Sequence, residues 1–139
     1  VGWAKEVGIE TRGFFILGLP GDTPKTMQAT INLAKNLKLP MAQFYIAVPY
    51  PGTELAKRAN EFGTVNRESF EDYLSQTTQK PPFVPSGLTP KQLNFYLNRA
   101  YREFYLRPSF IIERLFKIRS LLQIKASFQG LISIARHAF

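Results

Sequence analysis

The chain has 139 residues, 45% of them hydrophobic and 14% aromatic, which excludes a disordered protein because there is enough apolar surface for a core. It contains no cysteine and one histidine, which excludes a disulfide scaffold, a cysteine nucleophile, an iron–sulfur cluster held by this chain and a metal site of several histidines. The net charge of +8 lies mainly in the last third, because residues 1–87 carry 9 basic and 8 acidic side chains whereas residues 88–139 carry 9 and 2.

The first segment predicts a helix end, a strand and a helix. Residues 3–8 are typical of the last turns of a helix. Phe14–Leu19 is a short apolar run without polar alternation, as in a strand that is covered on both faces. Thr23 and Pro24 then predict the N-cap and first position of a helix. Helical spacing predicts one buried stripe on it, formed by Met27, Ile31, Ala34 and Leu37.

A second strand and helix follow in the same order. Residues 42–48 are rich in aromatic and β-branched side chains and predict a strand, after which Thr53 caps a helix that ends near Phe62. Two strands joined by a helix of this length are expected to be parallel neighbours with a right-handed crossover. Because two strands make a poor sheet, we expect the missing strands to lie upstream in a longer protein or to come from an assembly.

The rest of the chain predicts an irregular connection and a helical extension. In the connection, 64–87, we expect a short helix around residues 68–74 and then an extended surface loop with prolines. Thr89 and Gln92 form a capping box for a helix that ends near Leu106. Further helices are expected over 109–124 and 128–138, so the chain divides into segments 1–63, 64–87 and 88–139.

Both predicted strands end in a turn that leads into a capped helix. Ligands of α/β proteins bind outside the carboxyl ends of parallel strands, which here are 18–23 and 48–53. Gly18 and Gly21 would let a ligand approach the backbone closely. The same pattern is also ordinary turn and cap chemistry, and the chain has neither a phosphate loop nor a dinucleotide fingerprint. The residues alone therefore predict an edge that faces a ligand, without naming the ligand.

The two turns and their separation carry a resemblance to a known family. Gly13–Thr23, the following helix and Phe44–Thr53 resemble the late part of a radical S-adenosylmethionine (SAM) enzyme, most closely the branch with a cobalamin-binding domain ahead of the radical domain. Phe104–Pro108 resembles the tail of that branch. The resemblance implies an α/β fold, namely the last two βα units of a partial (β/α)6 TIM-like barrel, followed by a helical extension. It also implies a [4Fe–4S] cluster, SAM and, as an option, cobalamin, although the cysteine loop that holds the cluster is absent from this chain.

The family's fifth-strand motif, Gly-x-Ile-x-Gly-x-x-Glu, helps to seat the adenine of SAM. Ile16 and Gly18 match it, whereas Phe14 stands at its first glycine and Gly21 at its glutamate, with Asp22 one residue later. Ile16 could equally be a plain core residue. The resemblance implies neither a catalytic nor a metal-binding residue in this chain; the implied cofactor-binding residues are Ile16, Gly18, Pro20, Gly21, Tyr45, Ala47, Val48 and Pro49.

We therefore expect the C-terminal portion of a radical SAM enzyme, an iron–sulfur oxidoreductase or a methyltransferase, which contributes part of the adenine surface and a helical cap and is inactive alone. Its expected partners are the upstream part of the same polypeptide and a small-molecule or lipid-like substrate. The expected location is the cytoplasm, with association with a membrane surface as an option. The alternative is a non-catalytic α/β interaction module whose basic tail binds a membrane surface or an acidic partner. Nucleic acid is a weaker option for that tail, and simple packing with the arginines in solvent is favoured over both.

Overall fold

The computed structural model describes residues 1–66 and 81–117, with the backbone alone over 113–117. The predicted helices over 68–74 and 128–138, and the end of the one over 109–124, lie outside these residues. The elements in chain order are α1 (Gly2–Glu6), β1 (Arg12–Leu17), α2 (Pro24–Asn36), β2 (Met41–Ile46), α3 (Glu54–Phe62), β3 (Gly63–Val65), β4 (Phe83–Pro85), α4 (Pro90–Tyr105) and α5 (Pro108–Lys117).

The strands β1 and β2 form a parallel pair, as the sequence predicts. Arg12 lies opposite Met41 at one end of the pair, and Leu17 lies opposite Ile46 at the other. Beyond the last paired residues, the Ala47 N–H donates to the Leu17 carbonyl at 2.8 Å. Both strands therefore end level with each other, and their carboxyl ends lie side by side.

One face of this sheet carries the main core. The predicted stripe of α2 is confirmed, since Met27, Ile31 and Ala34 are buried and Leu37 packs against them. From the sheet, alternate residues point toward α2 and α4 because side chains of a strand alternate between faces. The fully or almost fully buried residues of this core include Leu17, Ala42, Phe44, Leu93, Ala100 and Phe104.

The opposite face of the sheet is uncovered in the described part of the chain. Phe14 is 63% exposed and Ile16 is 49% exposed, although both lie in the apolar strand β1. Their exposure contrasts with Phe15 and Leu17, which pack into the core from the other face. The sequence predicted that β1 is covered on both faces. Within the described residues, only the face of Phe15 and Leu17 is covered.

The connection over 64–87 is not wholly irregular, and its last part is not a surface loop. Residues of β3 pair antiparallel with β4, and residues 81–85 are all buried. Phe83 packs with Ala47 after β2 and Ala59 of α3, so this hydrophobic contact holds the proline-rich stretch against the second strand end. Gly63 permits the pairing, since an added Cβ would lie 2.2 Å from the Val84 carbonyl oxygen.

Helix α4 lies across the sheet and closes the outer edge of β2. The Tyr105 hydroxyl donates to the Ala42 carbonyl at 2.7 Å and accepts from its N–H at 3.3 Å. The Tyr101 hydroxyl does the same for Phe44, at 3.1 and 3.3 Å. We call Tyr101 and Tyr105 the tyrosine pair. Its spacing fits the strand, because four residues of helix rise about 6 Å and two residues of strand rise about 6.6 Å.

The architecture is mixed α/β. The described residues form two sheets of two strands each, β1–β2 and β3–β4, and contain no closed barrel. The capping box of Thr89 and Gln92 begins α4 as predicted, and the helix ends at Tyr105, one residue before the predicted end.

Candidate functional site

The candidate site is the edge where the two parallel strands end. Ile16 lies directly opposite Tyr45 in the register, near the carboxyl ends of both strands. The ring of Phe14 is parallel to that of Tyr45, with 6.4 Å between the ring centroids and 5° between the planes. The Tyr45 hydroxyl is tied to the Gln43 side chain at 2.7 Å. Together, Phe14, Ile16 and Tyr45 form a flat, mainly apolar surface on the uncovered face of the sheet.

The turn after β1 is held by Asp22. Its carboxylate accepts hydrogen bonds from the N–H groups of Gly18 at 2.8 Å and Leu19 at 3.0 Å, and from the Thr26 hydroxyl at 2.6 Å. Gly18 and Gly21 both have positive φ, 76° and 84°, a region in which glycine is unstrained. Asp22 thus binds the backbone of its own loop. This role was not predicted from the sequence, although an aspartate just before a Thr–Pro cap is typical of such turns.

The turn after β2 is held by the cap of α3. The Thr53 side chain accepts from the Ala56 N–H at 3.2 Å, and its hydroxyl donates to the Tyr50 carbonyl at 2.6 Å. Val48 is half-buried and Pro49 is buried. This turn therefore presents an apolar rim beside the first one.

The structure separates the sequence-predicted site residues into two groups. Ile16 and Gly21 are exposed, and Pro20, Tyr45 and Val48 are partly exposed. The remaining predicted residues, Gly18, Ala47 and Pro49, are buried among protein atoms. The whole set lies at one edge of the sheet, but only the first group offers side-chain or backbone surface to a ligand in the described part of the chain.

Burial of Gly18 has a specific cause in α4. A Cβ added at Gly18 would lie 2.7 Å from Cδ2 of Leu93, so this leucine occupies the space behind the turn. Leu93 lies in the first turn of α4, and its side chain is fully buried. The helical extension thus supports the first strand end directly, a contact between distant segments that no local pattern could predict.

The charged groups of α4 pair with α2, away from the strand ends. Glu103 forms an ion pair with Lys35 of α2 and another with Arg99 at 2.5 Å. Burial raises the pKa of Glu103, but the hydrogen bonds and charges of Lys35 and Arg99 outweigh this and hold the pKa below its ordinary value. Gln28 also donates to the Glu103 carboxylate, at 3.3 Å. This cluster joins two helices and has no contact with the candidate site.

The basic residues of the extension that the structure describes are partly used inside the fold. Arg107 donates to the Leu39 carbonyl at 3.1 Å, and its guanidinium lies 4.1 Å from the centroid of the Phe104 ring. Arg99 pairs with Glu103, whereas Arg102 is exposed. Packing with the arginines in solvent is therefore too simple, since two of these three arginines make defined contacts.

Two further properties bear on ligands and membranes. Within residues 1–66 and 81–117, no cluster of three or more His, Cys, Asp or Glu side chains could hold a metal ion. In the same ranges no helix combines the length and the apolar character needed to cross a lipid bilayer.

Comparison with known proteins relates the chain to enzymes. It is 36% identical to an uncharacterized methyltransferase of Pyrococcus horikoshii, over 94% of this chain and 28% of the relative. It is 27% identical to an anaerobic magnesium-protoporphyrin IX monomethyl ester cyclase of Rubrivivax gelatinosus, over 77% of this chain and 18% of the relative. It is 24% identical to a bacteriochlorophyllide d C-8(2)-methyltransferase of Chlorobaculum tepidum, over 88% of this chain and 27% of the relative.

These relatives are much longer than the chain, which spans less than a third of each. No protein-family model matches the chain, and no solved structure matches it. The chain is thus similar to a minor part of methyltransferases and of a cyclase.

Proposed function

We propose that this chain is the C-terminal portion of a radical SAM enzyme of the methyltransferase type and supplies one side of its SAM-binding surface. In this proposal β1 and β2 are the last two strands of a partial (β/α)6 barrel. The observation that carries it is the pair of level, parallel strand ends, with Ile16 opposite Tyr45 on an uncovered face. The similarity to longer methyltransferases supports it.

The residues at the strand ends suit the adenine of SAM. A purine needs flat apolar contact and a few backbone hydrogen bonds, which apolar strand ends can provide. Ile16 and Tyr45 would provide the contact, with Pro20, Gly21 and Val48 at the rim. Gly18, Ala47 and Pro49 would act from below by shaping the backbone, because their side-chain positions are buried.

The chain does not fit the role of holding the iron–sulfur cluster. Such clusters are bound by cysteine thiolates, and the chain has no cysteine. In this proposal the upstream part of the polypeptide carries the cluster, and the present chain binds, orients and shields the nucleoside part of SAM. Cobalamin, like the cluster, is proposed to bind the upstream part. This proposal rests on the resemblance to the branch that contains a cobalamin-binding domain.

Substitution of Ile16 in the longer protein tests the adenine contact. Ile16→Ala should weaken SAM binding by about 1–2 kcal/mol of lost apolar burial, which is about five- to thirty-fold in Kd by isothermal titration. Leu33→Ala is the matched control, because Leu33 is an aliphatic residue of similar exposure, 53%, on α2. Equal Kd values for the Ile16 and Leu33 variants would contradict the proposed contact.

Reconstitution of the 139-residue chain with iron and sulfide tests the division of labour. We expect no stable [4Fe–4S] absorption spectrum from the chain alone, and a stable one from the longer protein. A stable cluster on the cysteine-free chain would contradict the proposal, as would a longer protein that binds no cluster.

A further inference from the structure

The side chain of Tyr45 contacts a diagonal neighbour on the uncovered face of the sheet. In the register, Tyr45 lies opposite Ile16. Phe14, two residues earlier in β1, lies opposite Gln43. Because strands lie about 4.8 Å apart and two residues rise about 6.6 Å, diagonal neighbours are about 8 Å apart. The ring centroids of Phe14 and Tyr45 are only 6.4 Å apart, with 5° between the planes, so these side chains lean toward each other.

The hydroxyl of Tyr45 shows in which direction its side chain leans. It donates to Oε1 of Gln43 at 2.7 Å, and Gln43 lies two residues nearer the amino end of β2, on the same face. Within residues 1–66 and 81–117, this is the only hydrogen bond of the hydroxyl. The contacts with Phe14 and with Gln43 both draw the ring toward the amino end of the sheet, away from the two turns.

This orientation of Tyr45 leaves space at the carboxyl end of the strands. Ile16 lies directly opposite Tyr45 and is still 49% exposed. A tyrosine has other staggered χ1 rotamers, which turn the ring by about 120°. A ring turned toward the strand end would lie over Ile16, where the adenine of SAM is proposed to bind. The hydrogen bond to Gln43 therefore selects the rotamer that keeps this space open.

We propose that Gln43 is a positioning residue for SAM, which acts by holding the Tyr45 ring to one side of the adenine position. There the ring can contact the purine without occupying its place. The inference rests on the proposed function, because it takes the adenine contact at Ile16 as its starting point. An amide suits this role, since its oxygen accepts a hydrogen bond without adding a charge to an apolar face.

Substitution of Gln43 in the longer protein tests this role. Gln43→Met removes the acceptor and keeps a side chain of similar length. A released Tyr45 ring would occupy the adenine position for part of the time, and the apparent Kd rises as the accessible fraction falls. For one hydrogen bond of ordinary strength, we expect a Kd for SAM that is about three- to tenfold higher by isothermal titration. Gln43→Glu should restore the affinity, because a carboxylate oxygen accepts from the same hydroxyl.

Gln28→Met is the matched control. Gln28 is a half-buried glutamine like Gln43, but it donates to the Glu103 carboxylate at 3.3 Å, between α2 and α4. Its replacement should lower the free energy of unfolding and leave the Kd for SAM unchanged. The same Kd for Gln43→Met as for Gln28→Met would overturn the proposal. So would a Gln43→Glu variant that binds SAM as weakly as Gln43→Met.

A double-mutant cycle tests whether Gln43 acts through Tyr45. Tyr45→Phe removes the hydroxyl and keeps the ring, so it should raise the Kd for SAM as much as Gln43→Met does. The double variant should bind no more weakly than either single variant, because all three lack the same hydrogen bond. Kd increases that multiply in the double variant would mean that Gln43 acts by another route, and they would overturn the proposal.

The ring contact is also measurable without SAM. In the 139-residue chain, nuclear Overhauser contacts between the Phe14 and Tyr45 rings should weaken in Gln43→Met and return in Gln43→Glu. Unchanged contacts in Gln43→Met would overturn the inference. If the unaltered longer protein does not bind SAM, the proposed function fails, and this inference fails with it. If that protein binds SAM equally well with and without the Gln43 amide, the inference alone fails.

Discussion

Replacing Tyr105 by phenylalanine would remove the hydroxyl that holds Ala42 at the outer edge of β2. The short contact to the Ala42 carbonyl, 2.7 Å, is a good hydrogen bond, whereas the contact from its N–H, 3.3 Å, is a weak one. Because Ala42 is fully buried, water cannot replace the lost partner, and each unsatisfied buried group costs about 1–3 kcal/mol. Counting the strong contact in full and the weak one in part, we expect Tyr105→Phe to lower the free energy of unfolding by about 2 kcal/mol.

The expected order of the variants follows from the distances. Tyr101→Phe should cost less, about 1 kcal/mol, because its contacts to Phe44 are 3.1 and 3.3 Å. Tyr96→Phe is the matched control, since Tyr96 lies on α4 and packs against the same core, and within the described residues its hydroxyl has no hydrogen bond. Urea denaturation of the three variants measures the free energy of unfolding. A Tyr105→Phe variant as stable as Tyr96→Phe would refute the stabilising role of the Tyr105 hydroxyl at the outer side of β2.

High pH provides an independent check on the same edge. Burial raises the pKa of Tyr101 above its ordinary value of 10.0, although the hydrogen bond from the Phe44 backbone opposes this. A raised pKa in the folded state means that the stabilisation is fully present below pH 10 and is lost as the pH rises further. We expect that part of the alkaline loss of stability to be absent from Tyr101→Phe; an unchanged alkaline profile in this variant would contradict the assignment.

Four other variants test the first strand end, the β3–β4 pairing and the helix pair. Gly18→Ala should lower the free energy of unfolding by about 2–4 kcal/mol, because it combines a positive φ with a Cβ only 2.7 Å from Cδ2 of Leu93. Gly21→Ala, with a positive φ but open space, should cost about 1–2 kcal/mol, and thermal unfolding compares the two. Gly63→Ala should break the β3–β4 pairing, since its Cβ would lie 2.2 Å from the Val84 carbonyl oxygen. Retained protection of the Asn66 amide, which donates to the Pro82 carbonyl at 3.0 Å, would contradict this. The pKa of Glu103 is lowered in the folded state, so the free energy of unfolding should fall as the pH drops below about 4.5 and Glu103 takes up a proton. Glu103→Gln should reduce this fall, which urea titrations at several pH values measure.

Patterns of short range predicted most of the helices and the sheet. The caps at Thr23, Thr53 and Thr89 form hydrogen bonds within three residues, so their chemistry is readable from the sequence alone. The parallel pairing of β1 and β2 followed from one connecting helix. The edge of the sheet that carries the candidate site was predictable for the same reason, while the adenine contacts of its residues stay a prediction.

Contacts between distant segments were not readable in this way. The prediction of an irregular segment over 64–87 is wrong for the strand residues 64–65 and 83–85, because β3 pairs with β4. The proline content of 81–85 hides the buried strand there. The hydrogen bonds of the tyrosine pair to Ala42 and Phe44 depend on how α4 crosses β2. Burial of Gly18 under Leu93 depends on the same crossing.

By itself, the sequence determined where helices begin, which strand runs into which turn, and that both strands end at one edge, because caps, turns and periodicity act over a few residues. Only the tertiary structure decided that the strand ends rest on α4 and that the tyrosine pair binds the outer side of β2, while within the described residues no strand pairs with the outer side of β1. The physical reason is that the outward N–H and C=O groups of a strand form hydrogen bonds with any suitable group that the fold places beside them. For β2 that group is a tyrosine hydroxyl of α4, more than fifty residues further along the chain.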